Sequence, residues 1–191
     1  MLALQGDFRE HLNVLASLGA DARPVRRPED LAAVSGLVLP GGESSVIDKL
    51  SRLFGMAGPV KAAIARGLPV YGTCAGLIML ADTVLDAIEG QQSFGGLDIE
   101  VRRNAFGSQT ESFETELDIP VIGAPALHAV FIRAPIVTRV GAKANALATL
   151  VDGRVVAVEQ DNLIGTSFHP EMTADYRIHR YFLERVAAVG F

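Results

Sequence analysis

Residues 68–81 constrain this chain more than any other stretch. An apolar run, Leu68-Pro69-Val70-Tyr71, leads into Gly72-Thr73-Cys74-Ala75-Gly76, and a second apolar run, Leu77-Ile78-Met79-Leu80-Ala81, follows. The first run reads as a buried strand and the second as the start of a buried helix. Small-x-Cys-x-Gly between a strand and a helix is the cysteine form of a nucleophile elbow. Such a turn needs small residues on both sides, because backbone passes close to backbone there. It lifts the Cys74 sulfur out of the sheet and sets it at a helix N-terminus, where the helix dipole favours thiolate over thiol. The Ala75 N–H then points to where an oxyanion would form. The elbow context leaves a second reading open, a buried structural cysteine, since free Cys is among the most buried residue types.

The chain around the elbow alternates strands with helices. Met1-Leu2-Ala3-Leu4 reads as the tail of a first parallel strand, stopping at Gln5-Gly6-Asp7. Phe8, Leu12, Leu15 and Leu18 mark one face of a helix, and Gly19 stops it. Residues 22–26 form a second short strand. Residues 36–39 form a third, wholly apolar and buried on both faces. That strand runs into Pro40-Gly41-Gly42-Glu43-Ser44-Ser45 and a helix, and a further helix over 60–66 ends at Gly67. This pattern predicts an α/β fold with a doubly wound, mostly parallel sheet flanked by helices. Ligands in such sheets sit at the carboxyl ends of strands, where Gln5, residues 41–44 and Cys74 all fall.

The second half changes character. Residues 99–103 alternate as a strand, and Phe131-Ile132-Arg133 ends another before Ala134-Pro135 breaks it. Asp152-Gly153 joins two β-rich runs, 144–151 and 154–160, as a hairpin. Residues 163–168 form one more strand, delivering His169-Pro170-Glu171. Ile178, Phe182, Val186 and Val189 form the buried face of a last helix. No linker separates the halves, so residues 1–191 read as a single domain with some antiparallel strands in its second half.

Composition narrows the partners. A net charge of −5 with no basic run argues against nucleic acid or an anionic membrane surface. No stretch has the length of a membrane span, and no signal sequence is visible. A single cysteine excludes an internal disulfide and fits a reducing, cytoplasmic setting.

A cysteine nucleophile needs a base, and the base an orienting group. Of the four histidines, His11 and His179 lie on the polar faces of predicted helices and read as solvated. His128 falls in a loop-like Pro/Ala stretch without an acidic neighbour. His169 follows a buried strand and has Glu171 two residues on. In an extended segment such residues point the same way, so the two can form a base–orienter pair. Alone, His-Pro-Glu reads first as a turn with one polar pair; with the cysteine elbow, each motif supplies what the other lacks. The glycine loop at 40–44 is either a plain strand-to-helix turn with Ser44 as N-cap, or the source of a second oxyanion donor, the Gly42 N–H. It lacks the Gly-Lys-Ser/Thr of a nucleotide phosphate loop. Arg103 and Arg133 each end a strand, and by themselves read as solvated basic ends.

Six motifs occur in order: Leu4-Gln5-Gly6, Pro40-Gly41-Gly42-Glu43-Ser44, Gly72-Thr73-Cys74-Ala75-Gly76, Arg103-Asn104-Ala105-Phe106-Gly107, Phe131-Ile132-Arg133-Ala134-Pro135 and Phe168-His169-Pro170-Glu171. Together they resemble the triad, class I glutamine amidotransferases, and within them the glutaminase subunits of pyridoxal 5′-phosphate synthases. The Arg-Asn-x-Phe-Gly and Phe-Ile-Arg-Ala-Pro motifs carry the narrower resemblance. It implies Cys74 as nucleophile, His169 as general base and then acid, Glu171 as its orienter, and Gly42 and Ala75 as the oxyanion hole. It further implies that Gly42, Glu43, Ser44, Arg103, Ile132 and Arg133 contact L-glutamine and that Gln5 lines the site. The first strand is shorter than the family's, and residues 86–92 look like a variable insertion without a motif.

The implied reaction is glutamine plus water giving glutamate plus ammonia, with no metal or cofactor. By resemblance, the ammonia passes to a synthase subunit that builds pyridoxal 5′-phosphate. Alternatives are the glutaminase subunit of another amidotransferase, a γ-glutamyl hydrolase, or a binding module that has lost catalysis. The intact Cys74, His169 and Glu171 set speaks against the last.

Overall fold

The computed structural model describes residues 1–103 and 112–190, so Asn104-Ala105-Phe106-Gly107 lies outside the described residues. Among these residues the elements run α1 (Phe8–Ser17), α2 (Pro28–Leu31), β1 (Leu37–Leu39), α3 (Ser44–Leu53), α4 (Ala57–Ala65), β2 (Val70–Thr73), α5 (Ala75–Leu80), β3 (Ala81–Leu85), β4 (Leu97–Arg102), β5 (Ser112–Leu117), β6 (Leu127–Ile132), β7 (Ile136–Val140), β8 (Asn145–Thr149), β9 (Val155–Gln160), β10 (Leu163–Thr166) and α6 (Arg177–Val189).

The fold is α/β, with a mixed sheet in the order β1-β2-β10-β9-β7-β4-β3, β8 pairing with β9, and β5-β6 forming a separate hairpin. β2 lies between β1 and β10 and is parallel to both. β9 turns antiparallel against β10, β8 and β7, which is the expected change of character in the second half. The N-terminal run joins this sheet through little more than one residue. Leu2 makes a single parallel bridge to Val25, and its N–H donates to the Val38 carbonyl at 2.9 Å. The first two expected strands are therefore one bridge in place of a ladder.

Alternation along β1 and β2 divides the core between the two faces of the sheet. Leu37, Leu39 and Val70 pack with Ile47, Val60 and Leu77 from α3, α4 and α5. Val38 and Tyr71 pack with Leu15, Ile178 and Phe182 from α1 and α6. α5 is apolar all round and buried all round. Each large side chain fully buried there contributes about 1.5–3 kcal/mol, so the helix that starts at the elbow is firmly seated.

Two helix faces differ from expectation. α1 buries His11, Val14 and Leu15, with Phe8 and Leu12 only half-buried. α6 buries Ile178, His179 and Phe182, while Val189 is exposed. In both helices a histidine expected on the solvated face is buried instead, where it meets polar partners: His11 and His179 face each other, and His11 also meets Thr73.

Candidate active site

Three neighbouring parallel strands deliver the site. The register aligns Leu39 of β1 and Gly165 of β10 with Gly72 of β2, so the loops leaving all three strands emerge together. Cys74 sits between β2 and α5 at φ 48° and ψ −101°, a sparsely populated conformation for a residue with a side chain. Such strain costs on the order of 1–3 kcal/mol. It is held by the Cys74 N–H, which donates to the Thr166 carbonyl at 2.7 Å, and by the buried helix behind. The small flanking residues serve close approach, as the motif implies. A Cβ on Gly72 would stand 2.5 Å from Gly76 backbone, and one on Gly76 would stand 2.2 Å from the Leu39 carbonyl oxygen. Ala75 opens α5, so its N–H has no acceptor within the helix.

β10 ends at Thr166 and the chain runs on to His169, whose N–H donates to the Val130 carbonyl of β6 at 2.9 Å. The His169 Nδ1–H donates to Glu171 Oε1 at 2.7 Å, with both residues buried. The pairing was expected across an extended segment. Instead 170–172 is a single 3-10 turn that folds the carboxylate back onto the ring. Burial works against a charged imidazole, but hydrogen bonds to Cys74 and Glu171 outweigh it and push the His169 pKa up to about 10. His169 therefore holds its proton at neutral pH beside the sulfur, where it can act as a proton donor.

The glycine loop closes over this pair. Gly41 lies against the His169 ring, where a Cβ would be 2.5 Å from Cε1. The Gly41 carbonyl accepts from the Asp7 N–H at 3.1 Å. Gly42 takes φ +148°, and Gln5 Oε1 accepts the next N–H, that of Glu43, at 2.8 Å. Gln5 thus braces the loop. The cap of α3 is Glu43, not Ser44, as its carboxylate accepts from the Ser45 N–H and hydroxyl.

The same carboxylate anchors a polar wall. Arg103 is only 8% exposed, and donates from Nη2 to Glu43 Oε1 and from Nη1 to Gln91 Oε1, both at 2.7 Å. Gln91 Nε2 in turn donates to the Ser44 hydroxyl at 3.0 Å. Glu43, Ser44 and Arg103, far apart in sequence, are therefore one cluster. Gln91, which ties them together, sits in the stretch at 86–92 that carries no motif, and no periodicity marks it. Ile132 and Arg133 follow the β6 carbonyl that fixes His169. Arg133 is exposed and takes φ 45°, one of four non-glycine residues with positive φ among the described residues.

The other histidines differ from expectation. His11 and His179 are fully buried, their rings 2.9 Å apart from Nδ1 to Nε2, next to Thr73 and Glu171. His128 lies on β6, and its ring nitrogens meet Glu116 and Glu114 of β5 at 2.7 and 2.8 Å. Among the described residues, one cluster has metal-ligand spacing: Asp7, His169 and Glu171, with ligand atoms within 4.8 Å. Its histidine and glutamate are already committed to each other, and Asp7 is exposed. No helix among the described residues is long and apolar enough to cross a membrane.

Comparison with known proteins bears on this geometry. A profile of the SNO glutamine amidotransferase family matches residues 1–188. The chain is 69% identical over 186 residues to pyridoxal 5′-phosphate synthase subunit PdxT of Leifsonia xyli subsp. xyli, spanning 97% of this chain and 94% of that one. Its identity to the subunit of the same name from Streptomyces coelicolor is 58% over 188 residues, spanning 98% and 93%. A crystal structure described as a glutamine amidotransferase superposes with a TM-score of 0.91 at 46% identity, covering 97% of both chains.

Proposed function

Because the chain belongs to the SNO glutamine amidotransferase family, we propose that it is the glutaminase subunit of a pyridoxal 5′-phosphate synthase. It hydrolyses L-glutamine to L-glutamate and ammonia and passes the ammonia to its synthase partner subunit. The observation that carries the chemistry is the Cys74, His169 and Glu171 constellation at one strand end, with the His169–Glu171 bond at 2.7 Å and the Cys74 side chain close enough to His169 to raise its pKa.

In this reading the Cys74 sulfur attacks the side-chain amide carbon of glutamine. The amide oxygen takes up the negative charge and accepts from the Ala75 and Gly42 N–H groups, where losing one donor typically costs about 10²–10³ in rate. His169 protonates the nitrogen and ammonia leaves, with a γ-glutamyl thioester remaining on Cys74. His169 then takes a proton from water as the water attacks the thioester, and glutamate departs. Glu171 keeps the His169 ring in the required tautomer and orientation. Glu43, Arg103 and Arg133 supply the charges that the substrate's α-amino and α-carboxylate groups require, with Ser44, Ile132 and Gln5 completing the wall. No step calls for a metal or cofactor. Residues 1–191 act as one amidotransferase domain. A thiol nucleophile with no disulfide partner suits the cytoplasm, where thiols stay reduced.

The Gly41–Gly42 peptide gives the synthase a means of control. One orientation turns the Gly42 N–H toward the developing oxyanion and the other turns a carbonyl there, so partner binding switches the hole on. The test is glutamate release at saturating glutamine by the purified chain, with and without the synthase subunit. Strong release only with the partner, lost in Cys74→Ala, is expected. No release in either condition would contradict the glutaminase reading, and full release by the chain alone would contradict the switch.

A further inference from the structure

Glu171 spends one oxygen on His169. The other, Oε2, is fully buried and has no hydrogen bond within ordinary limits, yet His11 Nε2 stands 3.4 Å from it. His11 Nε2 is also 3.2 Å from Thr73 Oγ1, and His11 Nδ1 is 2.9 Å from His179 Nε2. His11, Thr73 and His179 are all wholly buried. A line of groups therefore runs from Cys74 through His169 and Glu171 to His11 and His179. It draws on α1, the elbow strand and α6, with His11 and His179 separated by 168 positions in the chain.

We propose that His11 is a positioning residue for the glutaminase reaction: its Nε2–H holds the second oxygen of Glu171, and His179 fixes the tautomer in which it does so. The proton inventory of the two rings supports this. Burial lowers His179 to about 4, and burial, helped by the charge of His169, holds His11 well below the usual range, so both rings are neutral. A neutral imidazole has one N–H and one lone pair. If the His11 lone pair lay on Nε2, it would face a carboxylate oxygen, acceptor against acceptor. The N–H therefore lies on Nε2, and the lone pair on Nδ1 accepts from His179 Nε2–H. That leaves His179 Nδ1 as a bare lone pair, and it is the ring nitrogen with no partner. An unsatisfied buried lone pair is more tolerable than an orphaned N–H. A donor facing Oε2 resists a swing of the carboxylate plane away from His169.

This inference rests on the glutaminase reading, and the experiment separates the two. Glutamine turnover is measured in the complex with the synthase subunit. His11→Phe keeps the ring volume and removes the N–H; His11→Gln keeps a donor. His11→Phe should lower kcat roughly 10–100-fold, with KM for glutamine within about threefold and partial recovery in His11→Gln. Because the effect passes through Glu171, adding His11→Phe to Glu171→Gln should cost less than about threefold more. Should His11→Phe fail to fold, His11→Asn, too short to reach Oε2, carries the same cycle. A kcat within about twofold of the parent, a KM rising in step, or equal losses in both backgrounds would overturn the positioning role. A parent complex without glutaminase activity would overturn the glutaminase reading, and the inference with it.

Discussion

Gly41→Ala tests the placement of the His169 ring. Gly41 does not occupy the left-handed region, so alanine brings no backbone penalty, only a methyl group. That Cβ would stand 2.5 Å from His169 Cε1 and 3.0 Å from Nδ1, where ordinary contact begins near 3.4 Å. The ring must therefore retreat by about 0.9 Å, the difference between 3.4 and 2.5. It has little freedom to do so, with Nδ1 bonded to Glu171 at 2.7 Å and the His169 N–H on the Val130 carbonyl. A shift of that size along the bond stretches it to about 3.6 Å, which is no longer a hydrogen bond. A misplacement of about 1 Å can cost about 10²-fold in rate. We expect kcat for glutamate release in the synthase complex to fall about 10²-fold, with a loss of stability of about 1–3 kcal/mol from the overpacking. Gly58→Ala is the control: no atom lies within 4 Å of its added methyl in α4, so activity should hold and stability rise by up to about 1 kcal/mol. Gly41→Ala turning over within about threefold of the parent would refute the argument that this loop fixes the base.

His169→Asn should abolish turnover, and Glu171→Gln should reduce it less, because an orienter contributes less than the base it holds; equal activity of Glu171→Gln and parent would reduce Glu171 to a turn residue. Arg103→Met should impair glutamine turnover far more than alkylation of Cys74 by a small neutral reagent, since it strips Glu43 and Gln91 of their shared partner; equal losses in both assays would indicate a folding defect. His128 should titrate above its ordinary 6.5, because hydrogen bonds to Glu116 and then Glu114 favour its charged form. Its contribution to the β5–β6 hairpin is full below 6.5 and is lost as pH rises through the raised folded value. NMR of Glu114→Gln/Glu116→Gln should show the midpoint falling back toward 6.5, and an unmoved midpoint would contradict the pairing.

What was legible in the sequence is what local spacing encodes. Gly72 and Gly76 announce a backbone crossing because no other residue fits 2.5 Å from a neighbouring main chain. Apolar residues on every face of residues 75–80 announce a helix with no solvent side. The strand pattern sets Gln5, Glu43 and Ser44 at the ligand end of the sheet, but a role in glutamine contact for them and for Arg103, Ile132 and Arg133 rests on the motif resemblance alone. Arg103 reads as a solvated strand end until the fold sets Glu43 and Gln91 on its two nitrogens. Gln91 falls in a stretch without periodicity, and its role exists only once α3 and the end of β4 are neighbours. His11 misled because the apolar stripe at Phe8, Leu12 and Leu15 puts it on the flank of α1. That flank is covered by β2 and α6, and nothing within ten residues of His11 encodes the cover. His128 misled for the same reason in strand form: Glu114 and Glu116 become its neighbours only through the β5–β6 register, in which Glu116 faces it.

The most direct test of the central claim is covalent. The synthase complex is treated with a glutamine analogue carrying an electrophile in place of the side-chain amide, and the adduct is mapped by peptide mass spectrometry. Cys74 is the chain's only cysteine, so any other adduct identifies a different nucleophile. The account predicts one adduct per chain, on Cys74, prevented by excess glutamine, with loss of glutamate release in step with labelling. Full glutaminase activity in a chain labelled at Cys74, or inactivation by an adduct elsewhere, would contradict it.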